Sequence, residues 1–514
     1  MNVNGNVRAL GVSSANLLTS ANNNININGT AESKASSGRA IVRVEGGGTV
    51  RVGRAVAEGT SGDVRLRGGN LTFGAVDVVG TSFAALEAFG NNSLTANGNI
   101  NIFEAGGGFA EARFGGNGVV RINGGVNVNA GPGGFATAIF DGSEGTAINN
   151  LVINNQVTAN GAAGDAIFVN VINSARTTGA GRLRADTVQV STNGSSPLID
   201  LDTATPQLFV DVYGGAPNIL INNSTFAGPA NYVFGSGASF RSATFLGNGN
   251  MNFVSPFMAD NLLVGAPNGL VNFLSPVFVS GASPLLPTAP DIELFNIMST
   301  RGLTPPTHGP NVQILGGNGI NMMDQFVLGG PDPLIKLFSG SGFNTPGLTT
   351  NAPSVLAVFN PINLAAPVFF GDTVQPPPPG AFGLFNSINI QGLPDNAGTT
   401  VVIGEKGPAL PFLSGDVAIG PDTIDLGDRN MFIISRGAVS GDDLVVTNGI
   451  FEIIGVAATN FFQIPVINEF DDVENNEEEG EDEDELPIAD GDNGDDGEGN
   501  ITEESNAESM ECAA

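Results

Sequence analysis

The 514-residue chain is 41% hydrophobic with 73 glycines, 57 asparagines and a formal net charge of −32, so it has material for a large core and turn-formers that leave room for few helices. Of its 51 acidic residues, 21 lie between Glu469 and Glu511 in a stretch without lysine or arginine, so acidity belongs mostly to the tail. This charge excludes an electrostatic binder of nucleic acid or anionic lipid, no run approaches the ~18 apolar residues of a membrane span, and the lone cysteine, Cys512, excludes an internal disulfide or a cysteine metal site. The opening MNVNGNVRAL has no basic start or apolar core of a secretory signal. The protein is therefore expected either to stay inside the cell or to be a piece of a longer exported chain.

From residue 1 to about 200 a short unit recurs: an alternating segment, a Gly or Asn pair, a second alternating segment, then a stretch rich in Ala and Gly. The alternating cores are NININ (24–28), TVRV (49–52), NLTF (70–73), NINI (99–102), VNVN (126–129) and TVQV (187–190), with starts 21 to 30 residues apart where the repeat is clearest. A period of that length marks a solenoid, propeller or array, and two-residue alternation marks strands. In IVRVE (41–45) Val42 and Val44 share one face, Arg43 and Glu45 the other; in DVRLR (63–67) Val64 and Leu66 point inward, and Asp63, Arg65 and Arg67 outward. In GVVRINGGVNVNAG (118–131) Val120, Ile122, Val126 and Val128 face the core on either side of a Gly124-Gly125 corner. Such one-sided rungs must stack to bury a continuous core, with glycine permitting the corners and asparagine able to form side-chain ladders.

Beyond residue 200, NFVSPFM (252–258) and NFLSPVF (272–278) match almost residue for residue at a spacing of 20. That spacing predicts one coil and places Phe253 and Phe273 one above the other, ~4.8 Å apart. The proline-rich PLLPTAPDIEL (284–294), RGLTPPTHGP (301–310) and VQPPPPGAF (374–382) are predicted to bulge from the coil as loops. Strand patterns return at TTVVIG (399–404), RNMFIIS (429–435), DDLVVTN (442–448) and GIFEIIGV (449–456). The expected organisation is regular Gly/Asn-rich repeats over 1–200, a continuation with Pro/Phe-rich loops over 201–398, C-terminal coils over 399–465 and a disordered acidic tail over 466–514.

Few residues suggest chemistry. No complete GxGxxG and no Gly-Lys dipeptide is present, so the glycines read as corners and not as a phosphate cradle. The single histidine, His308, sits in a proline-rich loop and reads as an exposed imidazole. Paired carboxylates are the stronger competitor: IDLD (199–202) sets Asp200 and Asp202 on one face of a strand, where two acids could hold Ca²⁺ or act as acid and base, and IDLGD (424–428) offers Asp425 and Asp428. Against a carbohydrate-active enzyme, the chain has no Trp and only Tyr213 and Tyr232 as sugar-stacking tyrosines. In the tail, DNGDDGEGNITE (492–503) matches an EF-hand loop at Asp492, Asp496, Gly497 and Glu503 and fails at Gly494 and Gly499, so weak Ca²⁺ association is expected there and no formed cofactor site. Arg43, Arg51, Arg65, Arg67 and Arg121 take outward strand positions. Stacked in register they would form a candidate glycan-contact face; the competing reading is a solvated face balanced by Glu45, Asp63 and their neighbours.

The segments GVVRINGGVNVNAG, SLTANGNINIF and LVINNQVTANG resemble the repeat region of filamentous-haemagglutinin-like exoproteins, adhesins exported by bacterial two-partner secretion; the likeness is good over 1–200 and loose over 400–456. The resemblance implies a right-handed parallel β-helix, an extracellular or outer-cell-surface location, and contact with a host or bacterial cell-surface glycan or protein. It also implies an outer-membrane transporter as export partner. The chain departs from the family in lacking its Asn-Pro-Asn-Gly type motif, NPIN (360–363) being nearest; it also has no terminal membrane barrel, and LPIAD (486–490) is not a sortase signal. The expectation is an all-β, right-handed parallel β-helix (β-solenoid) with a disordered acidic C-terminal tail. Its expected role is that of a non-catalytic surface or secreted adhesin, the C-terminal portion of a larger exoprotein, binding through lateral faces and loops. The alternative is a carbohydrate-active β-helix enzyme, a polysaccharide lyase or glycosidase.

Overall fold

The computed structural model describes residues 1–142, 146–281 and 311–328 and the backbone of thirteen further strands between Leu334 and Gly455, all within the unit Met1–Ile464. Among the described residues every regular element is a strand, and the strands pair in parallel, coil upon coil, into a β-solenoid. The expected cores fall on strands: NININ and NINI from their second residues, in Ile25–Ala35 and Ile100–Glu104, TVRV at the start of Thr49–Glu58, NLTF within Ser61–Gly80, and VNVN and TVQV at the starts of Val126–Ala130 and Thr187–Thr192. The acidic tail lies outside the described residues.

Each coil lays strands on three faces. In one coil these are Phe109–Gly116, Val119–Ile122 and Val126–Ala130, which define the first, second and third faces; the next coil begins at Phe135–Asp141. Alternation decides what is buried: in the 118–131 stretch Val120, Ile122, Val126 and Val128 are fully buried and Arg121 and Asn127 are exposed. One buried column on the first face runs from Leu17 through Val42, Val64 and Leu86 to Tyr232, Phe253, Phe273 and Met322, with successive partners 20 to 29 residues apart as far as Phe273. Interiors tolerate a change in side-chain size only if a neighbour compensates. Where this column shrinks to Ala112 and Ala138, the next inward position carries Phe114 and Phe140, whose rings stack at 5.2 Å.

The twenty-residue coil is present as expected. Phe253 pairs with Phe273 in register, and their rings stack with centroids 4.8 Å apart and planes 13° from parallel. After Phe273 the step to its partner Met322 is 49 residues, and the step from Leu356 to Val401 is 45. The proline-rich segments at 284–294, 301–310 and 374–382 fall inside these long steps and outside the described residues. Parallel register resumes on the far side of both, so each long step leaves the stacking of the coils intact.

Asparagines link the coils outside the core. Asn123 donates Nδ2–H to Oδ1 of Asn97 at 2.8 Å, and Asn154 donates to Asn123 at 2.6 Å. A second ladder climbs from Asn231 to Asn252, Asn272 and Asn321 with spacings of 2.9, 2.8 and 2.7 Å. Asp63 needs a correction: its parity is outward as expected, but the residue is only 3% exposed, because Arg39 and Arg65 close over its carboxylate at 2.9 and 3.3 Å. A charge so covered is stabilised by direct pairing and not by water.

Candidate functional site

The five arginines do not share a face. Arg43, Arg65 and Arg67 lie on the first face, where Arg43 and Arg65 are register neighbours; Arg51 and Arg121 lie on the second, at coils three steps apart. On the first face the cations are neutralised locally. Arg43 pairs with Glu45 at 2.7 Å, Arg65 with Asp63 and Glu87, and Arg67 with Glu87. The exposed pairs to Glu45 and Glu87 contribute little to stability, yet with the covered Asp63 they neutralise these arginines, which an anionic glycan would otherwise meet as free cations.

Asp200 and Asp202 project outward side by side from Leu198–Ala204, while the alternate residues Ile199 and Leu201 are buried. Arg176 sits in register with Asp200, and its Nε lies 3.6 Å from the carboxylate. Burial raises the Asp200 pKa above the usual aspartate value, Arg176 opposes that shift and Asp202 reinforces it. The arrangement is a carboxyl of raised pKa beside a second carboxylate and a cation. Among the described residues no group of three or more His, Cys, Asp or Glu could hold a metal ion. His308, Cys512, Asp428, Asp492, Asp496 and Glu503 lie outside the described residues, and only the backbone of Asp425 is described.

The feature that sequence reading missed is an aromatic ridge. The Ala- and Gly-rich stretches between the alternating cores are themselves first-face strands, the first part of Phe83–Ala96, then Phe109–Gly116 and Phe135–Asp141, and each opens on an outward phenylalanine. Phe83, Phe109 and Phe135 stand in register at 38%, 58% and 45% exposure, and the last two rings stack at 5.6 Å. The repeated signal was GGFAEARF (107–114) against GGFATAIF (133–140), 26 residues apart. Tyr213 is exposed, whereas Tyr232 is buried in the core.

A buried carboxylate shapes the corner behind this ridge. Glu104 ends Ile100–Glu104 and accepts backbone N–H groups from Gly106 and Gly107 at 2.7 and 3.0 Å and from Gly131 of the next coil at 3.4 Å. Gly107 and Gly133 occupy the left-handed region at φ +92° and +82°, where an L side chain would be strained. Burial alone would raise the Glu104 pKa, but the N–H donors of Gly108, Gly106, Gly131 and Gly107 outweigh it and hold the group below the ordinary glutamate value. A depressed folded-state pKa stabilises above the unfolded value of ~4.3, and that stabilisation is lost as pH falls through the folded-state pKa. Glu104→Gln is expected to cost about 1–2 kcal/mol at pH 7, a value discounted for nearby solvent. Urea melts across the acid range should show the gap to wild type closing as pH falls; a gap independent of pH would contradict the assignment.

Comparison with protein-family models, curated proteins and solved structures finds no match to this chain. Among the described residues no helix is long and apolar enough to cross a membrane.

Proposed function

We propose that the protein is a non-catalytic, secreted or surface-exposed bacterial binding protein of the filamentous-haemagglutinin-like kind, a portion of a larger exoprotein that holds its partners on lateral faces and loops. The observation that carries this reading is the first face itself. Most of its outward charges pair with one another, Glu111 excepted, while Phe83, Phe109 and Phe135 stay open to solvent on a rigid register of coils. Apolar surface exposed in a contiguous row on a soluble β-sheet marks a contact surface. The extracellular location and an outer-membrane export partner follow from the sequence resemblance. A second reading, a polysaccharide lyase or glycosidase, is favoured by one observation, the Asp200, Asp202 and Arg176 arrangement.

One experiment separates the two. The labelled full chain is incubated with bacterial and epithelial cells, and in parallel with a panel of neutral and acidic polysaccharides assayed for new reducing ends and unsaturated sugars. Saturable cell binding without polysaccharide cleavage is the expected outcome. Cleavage abolished by Asp200→Asn would establish the enzyme instead.

A further inference from the structure

The ridge is one wall of a trough. Along the first face the outward positions form three parallel rows: Phe83, Phe109 and Phe135; then Ala85, Glu111 and Thr137; then Glu87, Arg113 and Ile139. Ala166 extends the middle row and Phe168, 37% exposed, the outer one. Outward rows recur every second residue, so the two walls stand ~13 Å apart. The floor between them is made of short side chains, with Glu111 as the only long one among Ala85, Thr137 and Ala166.

Glu111 is the exception in its surroundings. Glu45, Asp63, Glu87 and Asp141 on this face each hold an arginine, and Glu111 has no cation within ion-pair distance among the described residues. Its neighbour Arg113 is committed elsewhere, gripping Asp141 through Nε and a terminal nitrogen at 2.9 and 2.5 Å. Burial pushes the Glu111 carboxyl above its usual range, Arg113 opposes this, and Asp141 and Glu87 add to it. A half-buried carboxylate without a counter-ion is an unfavourable arrangement that a cation from outside would relieve.

We propose that the trough between the Phe83–Phe109–Phe135 ridge and the Arg113 row binds an extended basic polypeptide segment, with a lysine or arginine of the partner on Glu111 and an apolar side chain against Phe109. The trough has no end wall over the coils from Phe83 to Phe168, which suits a chain running along the axis better than a compact small molecule. Charge selects the occupant. Even before Glu469 the 30 acidic residues outnumber all 19 lysines and arginines, so a second copy and acidic glycans or lipids are repelled, whereas cationic segments are steered toward the chain. The Phe109 and Phe135 rings stack 17° from parallel, so each gives up one face to its neighbour; this leaves less open aromatic face for a sugar ring and favours aliphatic side chains.

The proposal rests on the reading of the protein as a non-catalytic binder. Its test is fluorescence anisotropy of a labelled peptide of alternating lysine and leucine with the full chain at physiological salt, which weakens diffuse attraction to the acidic tail. Glu111→Gln and Phe109→Ser, both outward substitutions, are each expected to weaken binding at least ~10-fold, as is replacing leucine by glycine in the peptide. Arg51→Gln, on the second face, is expected to leave the affinity unchanged. Wild-type affinity in Glu111→Gln overturns the proposal. It is also overturned if sedimentation shows a dimer that Phe109→Ser dissolves, or if the trough variants lose a neutral glucan and not the peptide. If the variants bind peptide normally while the full chain still holds cells, the trough fails and the wider function stands; loss of cell binding by wild type removes the wider function itself.

Discussion

Replacing Phe253 by alanine is expected to cost about 4 kcal/mol and to uncouple the coils around it from the rest of the solenoid. Phe253 is fully buried, and its ring meets Tyr232 at 5.0 Å, Phe273 at 4.8 Å, Phe245 at 5.3 Å and Phe257 at 5.9 Å. The vacated volume is bounded by rings held in register by parallel strands above and below, so it cannot close by a small side-chain shift. Stacked repeats couple mainly to their neighbours, so the loss should appear locally before it appears globally. The chain supplies its own probe. It has no tryptophan, one exposed tyrosine, Tyr213, and one buried tyrosine, Tyr232, which stacks on Phe253. In urea, the near-ultraviolet dichroism of Tyr232 should be lost ahead of the far-ultraviolet strand signal in the variant. Coincident transitions would show that the solenoid unfolds as one unit.

Excising residues 254–273 should leave a folded protein, whereas excising 254–263 should not. The first deletion removes one full coil, because Phe253 and Phe273 are register partners. Phe253 then runs into Leu274-Ser275-Pro276 in place of Val254-Ser255-Pro256, and Ala243 on the second face meets Val312 where Leu262 had separated them. Every inward position keeps its parity. The second deletion joins a first-face strand directly to the second-face part of Phe257–Ala266 and leaves the corner without residues. We expect the whole-coil deletion to keep the Tyr232 signal and to melt within about 5 °C of wild type, and the half-coil deletion to lose that signal. Equal stability of the two would mean that the register does not hold the fold together.

The second- and third-face strands were legible in the sequence because Val, Ile and Leu alternate there with Asn, Arg and Thr, as in NININ and VNVN. The 20-residue coil was legible because two aromatic segments repeat at that spacing. The first-face strands between residues 83 and 141 were not. In FAEARFGG and FATAIFD the first two inward positions are alanines, Ala110 and Ala112 and then Ala136 and Ala138, which carry little strand preference, and their burial comes from stacking on neighbouring coils. The same gap hid the Phe83–Phe109–Phe135 ridge and Glu111. The arginines were correctly placed as outward, but which of them meet depends on where the corners fall: the turn between Arg39–Gly46 and Thr49–Glu58 puts Arg51 on the second face, in the column that also holds Arg121, and leaves Arg43 on the first. Asp63 shows the limit of parity: alternation tells which way a side chain leaves the strand, and not whether two arginines lie across it.

The asparagine ladders give the molecule a polarity. In each ladder the carboxamide of the later coil donates to the oxygen of the earlier one: Asn123 to Asn97, Asn154 to Asn123, Asn252 to Asn231, Asn272 to Asn252, Asn321 to Asn272 and Asn268 to Asn248. Side-chain dipoles aligned head to tail polarise one another. Each coil therefore meets a ready row of acceptors on the coil before it and leaves a matching row for the coil after. The stack is therefore directional: a further coil added after the last ladder residue would meet carbonyl acceptors, and one added before the first would meet N–H donors.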